Sequence, residues 1–380
     1  MPVRATKRGA ERTSFAPGAS FDVLICGASF AGLAVARELR AAGARVLVLD
    51  RYDIGERQTS ACAAPTEWLL SLGLEDSIRQ TFGSLLVHTP RVTARWPLPW
   101  TFSTFDYRTL CRLLWEQSGD AGFETAKVDG RTGQVVHTDR GDVSAPLIVD
   151  ALGWRRVLGA GANVQPPDAP LSRGLEVHPH GRGGDLELWL DPRYVAPGYG
   201  WSFPARDELR IGVGSFDPRL RVKQPTLELA ADVEADPVRF QGNWIPHRLR
   251  PATEDGLFFV GDSAGHCLPV TAEGIRTALY FGIAAGREIA AVLGGRQDTG
   301  RALRRYHEFS AGHRWKFESM YGVQRSIPHL HGPVLDNLTR AFARRRVAHW
   351  SFGHYLEIAP PRFAFPAPPA AGAAALSAAA

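Results

Sequence analysis

FDVLICGASFAGLAVARELRAAGARVLVLD, residues 21–50, decides how this chain must fold. FDVLICG is a short apolar, β-branched run closed by glycine, the pattern of a strand buried on both faces. FAGLAVARELRAAG carries apolar residues at helical spacing and reaches Gly43, a residue suited to ending a helix. ARVLVLD is a second buried strand. Strand, helix and strand in so short a stretch call for a parallel sheet.

The turn between the first strand and the helix reads GASFAG, Gly27 to Gly32. Gly27 permits a tight turn, and Gly32 lets the helix pack close to the strand. Between them Ser29, Phe30 and Ala31 open the helix, whose backbone N–H groups and partial positive charge would face a pyrophosphate. Asp50 ends the second strand, 23 residues beyond Gly27, where it can accept hydrogen bonds from ribose hydroxyls; Arg51 follows as a further candidate contact. Ser29 replaces the middle glycine of the usual pattern, so the backbone approaches the phosphate less freely. An ordinary βαβ turn without ligand explains the glycines but leaves the acid unexplained, and the stretch is read as a dinucleotide site.

GLFFVGD, residues 256–262, is another buried strand, with a long apolar helix expected to begin near Ala272. More than 200 residues separate it from the first unit, so one domain must be assembled from distant pieces. In VGDSAGHCLPVTAEGI, residues 260–275, Gly261 leaves room for a sugar chain and Asp262 can bind its hydroxyls; Pro269, Gly274 and Ile275 complete the candidate contacts. A nicotinamide dinucleotide would not need this second strand end. A flavin does, because its ribityl chain and ring extend beyond the pyrophosphate, and a helix N-terminus would favour a reduced, anionic ring. For Glu273 ordinary helix capping is the default reading.

From Leu171 to Arg248, alternating segments such as LELWL and ELRIGVG are split by Pro, Gly and Asp turns, the signature of an inserted antiparallel sheet. Within it PGYGWSFP, residues 197–204, sets Tyr199, Trp201 and Phe203 at every second position, on one face of a strand. They are either sheet core or the wall of an apolar cavity. The fold class expected is α/β: a Rossmann-type FAD-binding domain with a parallel sheet, an inserted antiparallel substrate domain and a helical C-terminal region. The FAD-binding domain takes residues 21–85, 104–160 and 250–298, and the substrate domain 86–103 and 161–249. The helical region is 299–356. Residues 1–20 are expected to be a disordered leader, and 357–380 a disordered Pro/Ala tail.

Composition narrows the class. A chain of 380 residues with 44% hydrophobic and 22% charged residues fits a soluble globular enzyme of two joined domains. A net charge of +5 is too mild to point to nucleic acid. No apolar run reaches the roughly 18–20 residues a bilayer requires, and the N-terminus lacks the apolar core of a secretory signal. The cysteines, Cys26, Cys62, Cys111 and Cys267, have no metal-ligand or cluster spacing; reduced thiols in a cytoplasmic protein are expected, with no metal site. RAFARRRVAHW, residues 340–350, sets four arginines among apolar and aromatic residues. A solvated helix face is the default reading; the sharper one is a patch for anionic lipid headgroups and a peripheral membrane contact.

The motifs together resemble the geranylgeranyl reductase family of FAD-dependent oxidoreductases, within the para-hydroxybenzoate hydroxylase-like fold. GASFAG resembles the family's GxGPAG, with departures at Ser29 and Phe30. GDSAGHCLPVTAEGI resembles GDAAGxxxPxTGEGI, with Ala272 in place of a usual glycine, and PGYGWSFP resembles PxxYxWxFP. The likeness covers residues 20–300. It implies FAD as cofactor. Cys62 stands where the family carries Cys-Gly-Gly beside the flavin, with alanines for both glycines here; a small buried residue is the alternative. Arg108 in FDYRTLCRLL resembles the arginine placed on the FAD pyrophosphate, with a surface arginine as the alternative. IVDALGW, residues 148–154, resembles the segment that closes the FAD domain, where Gly153 keeps the backbone near the cofactor.

The resemblance also implies that Tyr199, Trp201 and Phe203 face the flavin and hold a polyprenyl chain by apolar contact. The implied reaction is reduction of C=C bonds by hydride from reduced flavin, with Cys62 and Tyr199 as candidate proton sources. There is no second strand–GxGxxG–helix unit; GAGANV, residues 159–164, has no helix pattern after it. Electrons must then come from diffusing NAD(P)H or a reduced redox protein. The alternative is a flavin-dependent monooxygenase or halogenase acting on a hydrophobic or aromatic small molecule. Monooxygenases of the fold read GDAAHxxxPxxGxG, whereas here Gly265 holds that place and His266 follows it; halogenases carry GWxWxIP, which GYGWSFP approaches. An electron carrier to membrane quinones would ordinarily bring an iron–sulfur cluster, which the cysteine spacing argues against.

Overall fold

The 21–50 unit forms the middle of a six-stranded sheet in the computed structural model, which describes residues 13–58, 60–159, 170–330 and 332–365. The strand order is Thr253–Glu254, Leu257–Phe259, Leu147–Asp150, Val23–Cys26, Val46–Asp50 and Gly122–Thr125. The first pair is antiparallel and every other pair parallel. Val23–Cys26 is buried along its whole length, as an unbroken apolar run on an interior strand must be.

Helix Phe30–Glu38 packs against helix Ile275–Leu293 through glycines. A Cβ on Gly282 would lie 2.6 Å from the Ala31 carbonyl oxygen, and one on Gly286 would lie 2.7 Å from the Glu38 side chain. These contacts advance in step along both helices, so the two run in the same direction and their N-termini open on the same side. The long helix begins at Ile275 rather than near Ala272, because Ala272 has φ of +50° and cannot continue a right-handed helix.

The second sheet has eight strands, ordered Gln241–Pro246, Leu171–Val177, Leu209–Ser215, Gly198–Pro204, Leu186–Trp189, Ile78–His88, Thr93–Phe105 and Ala63–Pro65. It is antiparallel except where Leu186–Trp189 runs parallel to Ile78–His88. The boundaries expected at 85/86 and 103/104 fall inside strands. Ile78–His88 and Thr93–Phe105 form one hairpin, whose arms pair with each other and enter the sheet together. Helices Gly332–Phe342 and Arg345–Leu356 lie over this hairpin. Trp96 donates its indole N–H to Thr339 O (2.9 Å) and Trp100 to Phe352 O (3.2 Å), while Phe342 and Phe352 pack on the two indoles.

Two segments expected to be disordered are partly ordered. Residues 13–20 lie along a three-stranded meander (Val128–Thr132, Val135–Thr138, Gly141–Ser144), with Phe15 N bonded to Arg140 O and the Arg140 guanidinium 4.8 Å over the Phe15 ring. At the other end residues 357–365 are held in place, because buried Trp68 and half-buried Arg287 bond their carbonyls. Trp68 Nε1 donates to Ala359 O (2.9 Å), and Arg287 donates to Phe363 O and Phe365 O, both at 2.9 Å. The rest of the leader (1–12), most of GAGANV and the end of the tail (366–380) lie outside the described residues. Among the described residues no helix is long and apolar enough to cross a membrane.

Candidate active site

The dinucleotide turn is built by contact. Gly27 has φ of +114°, and a Cβ on it would overlap the Ala151 carbonyl; a Cβ on Gly32 would overlap the carbonyl of Gly27 itself. No side chain caps the Phe30–Glu38 helix, because the Ser29 hydroxyl is bonded to that of Tyr107 instead (3.1 Å). Its first N–H groups are therefore left for an anion. Asp50 accepts from Ala28 N at 2.8 Å and Tyr52 N at 3.0 Å, which ties the end of the second strand to the turn. Burial pushes its carboxyl above the usual range, against the pull of these donors. Phe30 is buried edge-on against Tyr107 and Phe105 and acts as packing. Arg51 is exposed over the Tyr52 ring at 4.8 Å. Arg108 is also exposed. It backs onto Gly55, whose φ of +72° and close approach admit no Cβ, and borders a cavity of about 430 Å³ with Asp53, Ile54 and Trp115.

The second strand end meets this turn directly. Gly261 has φ of +60°, and a Cβ there would lie 3.0 Å from that of Ala31. Asp262 projects beside Gly274 at the N-terminus of the long helix; a Cβ on Gly274 would sit 3.6 Å from Asp262 Oδ1 and 3.3 Å from Cys267 Sγ. Burial raises the Asp262 carboxyl to about 6, with Arg250 opposing, and the carboxylate has no hydrogen-bond partner among the described residues. An unpartnered carboxylate beside a helix N-terminus and two glycines suits a chain of sugar hydroxyls. Asp150, fully buried behind it, accepts from Ser263 Oγ (2.6 Å), Leu152 N (2.9 Å) and Leu158 N (2.8 Å), and Gly153 O also accepts from Ser263. The IVDALGW segment is thereby fastened to the second motif.

The loop from Pro269 to Gly274 is strained. Val270 and Ala272 both lie in the left-handed region, at φ of +67° and +50°. For Val this is a true outlier, held by a hydrogen bond from Val270 N to Gln324 Oε1 (2.9 Å). Glu273, expected to cap the helix, instead grips Arg276 through two bonds of 2.8 Å. Arg276 is completely buried and also donates to Leu356 O (2.9 Å) and Ala359 O (3.2 Å); the Tyr355 hydroxyl completes the cluster by donating to Glu273.

The aromatic strand faces this loop. Along Gly198–Pro204 the glycines, Ser202 and Pro204 are buried toward helix Lys223–Asp232, whereas Tyr199, Trp201 and Phe203 stay half-exposed on the opposite face. Tyr199 donates to Thr271 O at 2.7 Å, and burial raises its phenol pKa. The Trp201 indole lies across glycines of the neighbouring strands; a Cβ on Gly212 would overlap it, and Cβ atoms on Gly214 and Gly174 would lie 3.4 and 3.7 Å away. A cavity of about 500 Å³ adjoins this face, lined in part by Pro197, Phe216, Tyr321 and Arg325, with the Phe216 ring edge-on to Tyr199.

The same face carries a buried charge network that the motifs did not reveal. Glu176 accepts from Trp201 Nε1 (3.1 Å) and Gln241, and is bonded to His178 at 2.9 Å. His178 reaches Glu208 at 3.5 Å, and Glu208 pairs with Arg210 at 3.0 Å. Arg210 then donates to the carbonyls of Ala61, Cys62 and Phe105 at 2.9–3.1 Å. Burial alone would lower the His178 pKa, but the two carboxylates override it and raise it to about 9. Burial would raise that of Glu208, which His178 and Arg210 bring down to about 2. Cys62, at φ of +52° and fully buried, hangs from this anchor, and burial pushes its thiol pKa well up. The available signal was the alternation of charge in the strands, Glu176 with His178 and Glu208 with Arg210.

A dinucleotide turn, an unpartnered acid at a second strand end and an aromatic sheet face beyond it define an FAD-dependent oxidoreductase. Gly27, Gly32, Asp50, Gly261, Asp262 and Gly274 would hold the cofactor. No family model matches the chain. Over 334 residues it is 26% identical to digeranylgeranylglycerophospholipid reductase 2 of Methanopyrus kandleri, covering 78% of this chain and 83% of that one. The fold matches a geranylgeranyl bacteriochlorophyll reductase-like protein of Thermoplasma acidophilum with a TM-score of 0.78 at 15% identity, over 91% of this chain and 98% of the other. It also matches the flavin-dependent brominase Bmp2, with a TM-score of 0.62 at 17% identity over 89% and 98%. The resemblance to geranylgeranyl reductases therefore stands, and the fold likeness extends past the motifs into the C-terminal helices.

Proposed function

We propose that this protein reduces C=C bonds of a polyprenyl or similar hydrophobic substrate. The observation that carries this reading is the half-exposed row Tyr199, Trp201 and Phe203, on a central strand, beside the loop that runs from Asp262 to the long helix. A side-chain row of this size only partly covered inside a sheet face offers apolar area with little rotamer freedom to lose. Trp201 is fixed by Glu176 and its glycine floor, so the wall is rigid before substrate arrives.

FAD, which Gly27, Gly32, Asp50, Gly261, Asp262 and Gly274 would hold, would supply hydride chemistry for one alkene carbon when bound and reduced. The other carbon requires a proton, and burial keeps both the Cys62 thiol and the Tyr199 phenol protonated at neutral pH. Tyr199 spends its proton on Thr271 O, so Cys62 or a water admitted beside it is the better-placed source. Diffusing NAD(P)H or a reduced redox protein would replenish the two electrons.

The test is to mix the anaerobically reduced flavoprotein with geranylgeranyl diphosphate under nitrogen. Flavin reoxidation with a two-hydrogen mass gain in the prenyl compound is expected. If nothing happens under nitrogen, and oxygen is then consumed with oxygenation or halogenation of an aromatic compound, the reductase reading is wrong and the monooxygenase or halogenase alternative takes its place.

A further inference from the structure

The two helices over the sheet have faces of opposite character. Their inner face carries Phe342 and Phe352 on the tryptophans, and Asp336, which accepts from Thr89 and pairs with Arg91, each at 2.7 Å. Their outer face is basic and apolar. Arg346, Trp350 and His354 recur at every fourth residue of helix Arg345–Leu356, forming one stripe. Trp350 is 68% exposed, and on the preceding helix Val334 and Leu338, also four apart, are exposed. Between residues 332 and 356 the only carboxylate is Asp336, which is buried, against four arginines.

Arg344, Arg345 and Arg346 are exposed and form no ion pair among the described residues. They sit at the N-cap and first turn of their helix, where the dipole is positive and no acid is present. That placement disfavours the helix in isolation, and a neighbouring anion would reverse the penalty. An exposed tryptophan next to such a cluster suits a boundary that is anionic on its surface and apolar just beneath. We propose that this helix docks on an anionic lipid bilayer through the Arg346–Trp350–His354 stripe, with Trp350 in the interface and Arg346 among the headgroup phosphates, where Arg344 and Arg345, fanned around the helix N-terminus, add their charge through long side chains. The same helix presents Tyr355 to Thr271, at 2.9 Å, so the bilayer and the candidate site lie against opposite faces of one helix.

The experiment is flotation of the oxidised holoprotein with vesicles of phosphatidylcholine alone and of equal parts phosphatidylcholine and phosphatidylglycerol. Binding to the mixed vesicles only, weakened by salt, is expected. R344Q/R345Q/R346Q should bind roughly a hundredfold less tightly, R344K/R345K/R346K nearly as the parent, and W350A several-fold less tightly with its salt response kept. Flavin absorbance and the urea midpoint establish that each variant is folded. Equal binding to both vesicles, no binding to either, or full binding by the glutamine variant overturns the proposal. Salt-sensitive binding to duplex DNA without vesicle binding would assign the face to nucleic acid and also overturn it. No substrate or turnover enters this measurement, so its result is independent of the reductase reading.

Discussion

Replacing Glu273 by alanine should be among the most damaging single changes in the chain. The substitution leaves the Arg276 guanidinium fully buried with its carbonyl partners and the Tyr355 ring, 4.7 Å away, but without the carboxylate that grips it twice. Removing one member of a buried ion pair costs about 3–5 kcal/mol, and the carbonyl bonds that survive place this case near the lower end, about 3 kcal/mol. Arg276→Met in the same background removes the stranded charge, although the Leu356 and Ala359 carbonyls then lose their donor. The double variant should therefore be less destabilised than the sum of the single ones by about 2 kcal/mol or more. Urea unfolding followed by circular dichroism measures all four corners of the cycle. Flavin content after purification reports the site, because Glu273 lies in the loop between Pro269 and Gly274, and it should fall in E273A. Additivity within about 0.5 kcal/mol, or a cost for E273A below about 1 kcal/mol, would refute the coupling.

Gly32→Ala places a methyl group on the Gly27 carbonyl, so the variant should purify without the yellow flavin absorbance; full occupancy would contradict the geometry of the turn. Asp262, raised from 3.8 to about 6, is harder to ionise folded than unfolded, so its charge opposes folding of the apoprotein. Apoprotein stability should fall as pH rises between about 4 and 6, and D262N should be stabilised above about 6, unchanged below about 4, and weakened in FAD binding. Melting curves across that range decide it, and a variant destabilised at neutral pH would count against the assignment. His178, raised to about 9 from 6.5, contributes stability fully present below 6.5 and lost as pH rises through about 9. Its imidazole should titrate near 9 by NMR; titration near 6.5 would dissolve the proposed network.

The sequence was most legible where structure is local. The two glycine-bearing strand ends announce themselves within a few residues each, even though Gly27 and Gly261 are far apart in the chain. The divisions expected at 85/86 and 103/104 fall inside the hairpin Ile78–Phe105, because the pairing of its two arms is not visible in composition. For Glu273 the partner Arg276 stands only one turn away, but what makes the pair a buried one, Tyr355, Leu356 and Ala359, lies far along the chain and leaves no local mark. The order of the tail was hidden for the same reason. Its last residues are apolar and proline-rich, and what holds them is the need of Trp68, Arg276 and Arg287 for carbonyl acceptors. The aromatic row was visible from spacing, but its orientation was not. Only the pairing of Trp201 with Gly212 and of Phe203 with Arg210 shows which side of the sheet it takes.

The carbonyl of Ala359 that closes over Trp68 and Arg276 has a consequence for how the molecule comes into being. Trp68 and Ala359 are 291 residues apart. At about 5–20 residues per second a ribosome needs roughly 15–60 s to make the second after the first. Throughout that interval the nascent chain lacks the acceptors its interior requires, and Arg276, once made, has only part of its coordination. The contacts of Trp68 and Arg276 with Leu356 and Ala359 can therefore form only after most of the chain has been made. The segment that carries Ala359 is thus among the last parts able to join this interior.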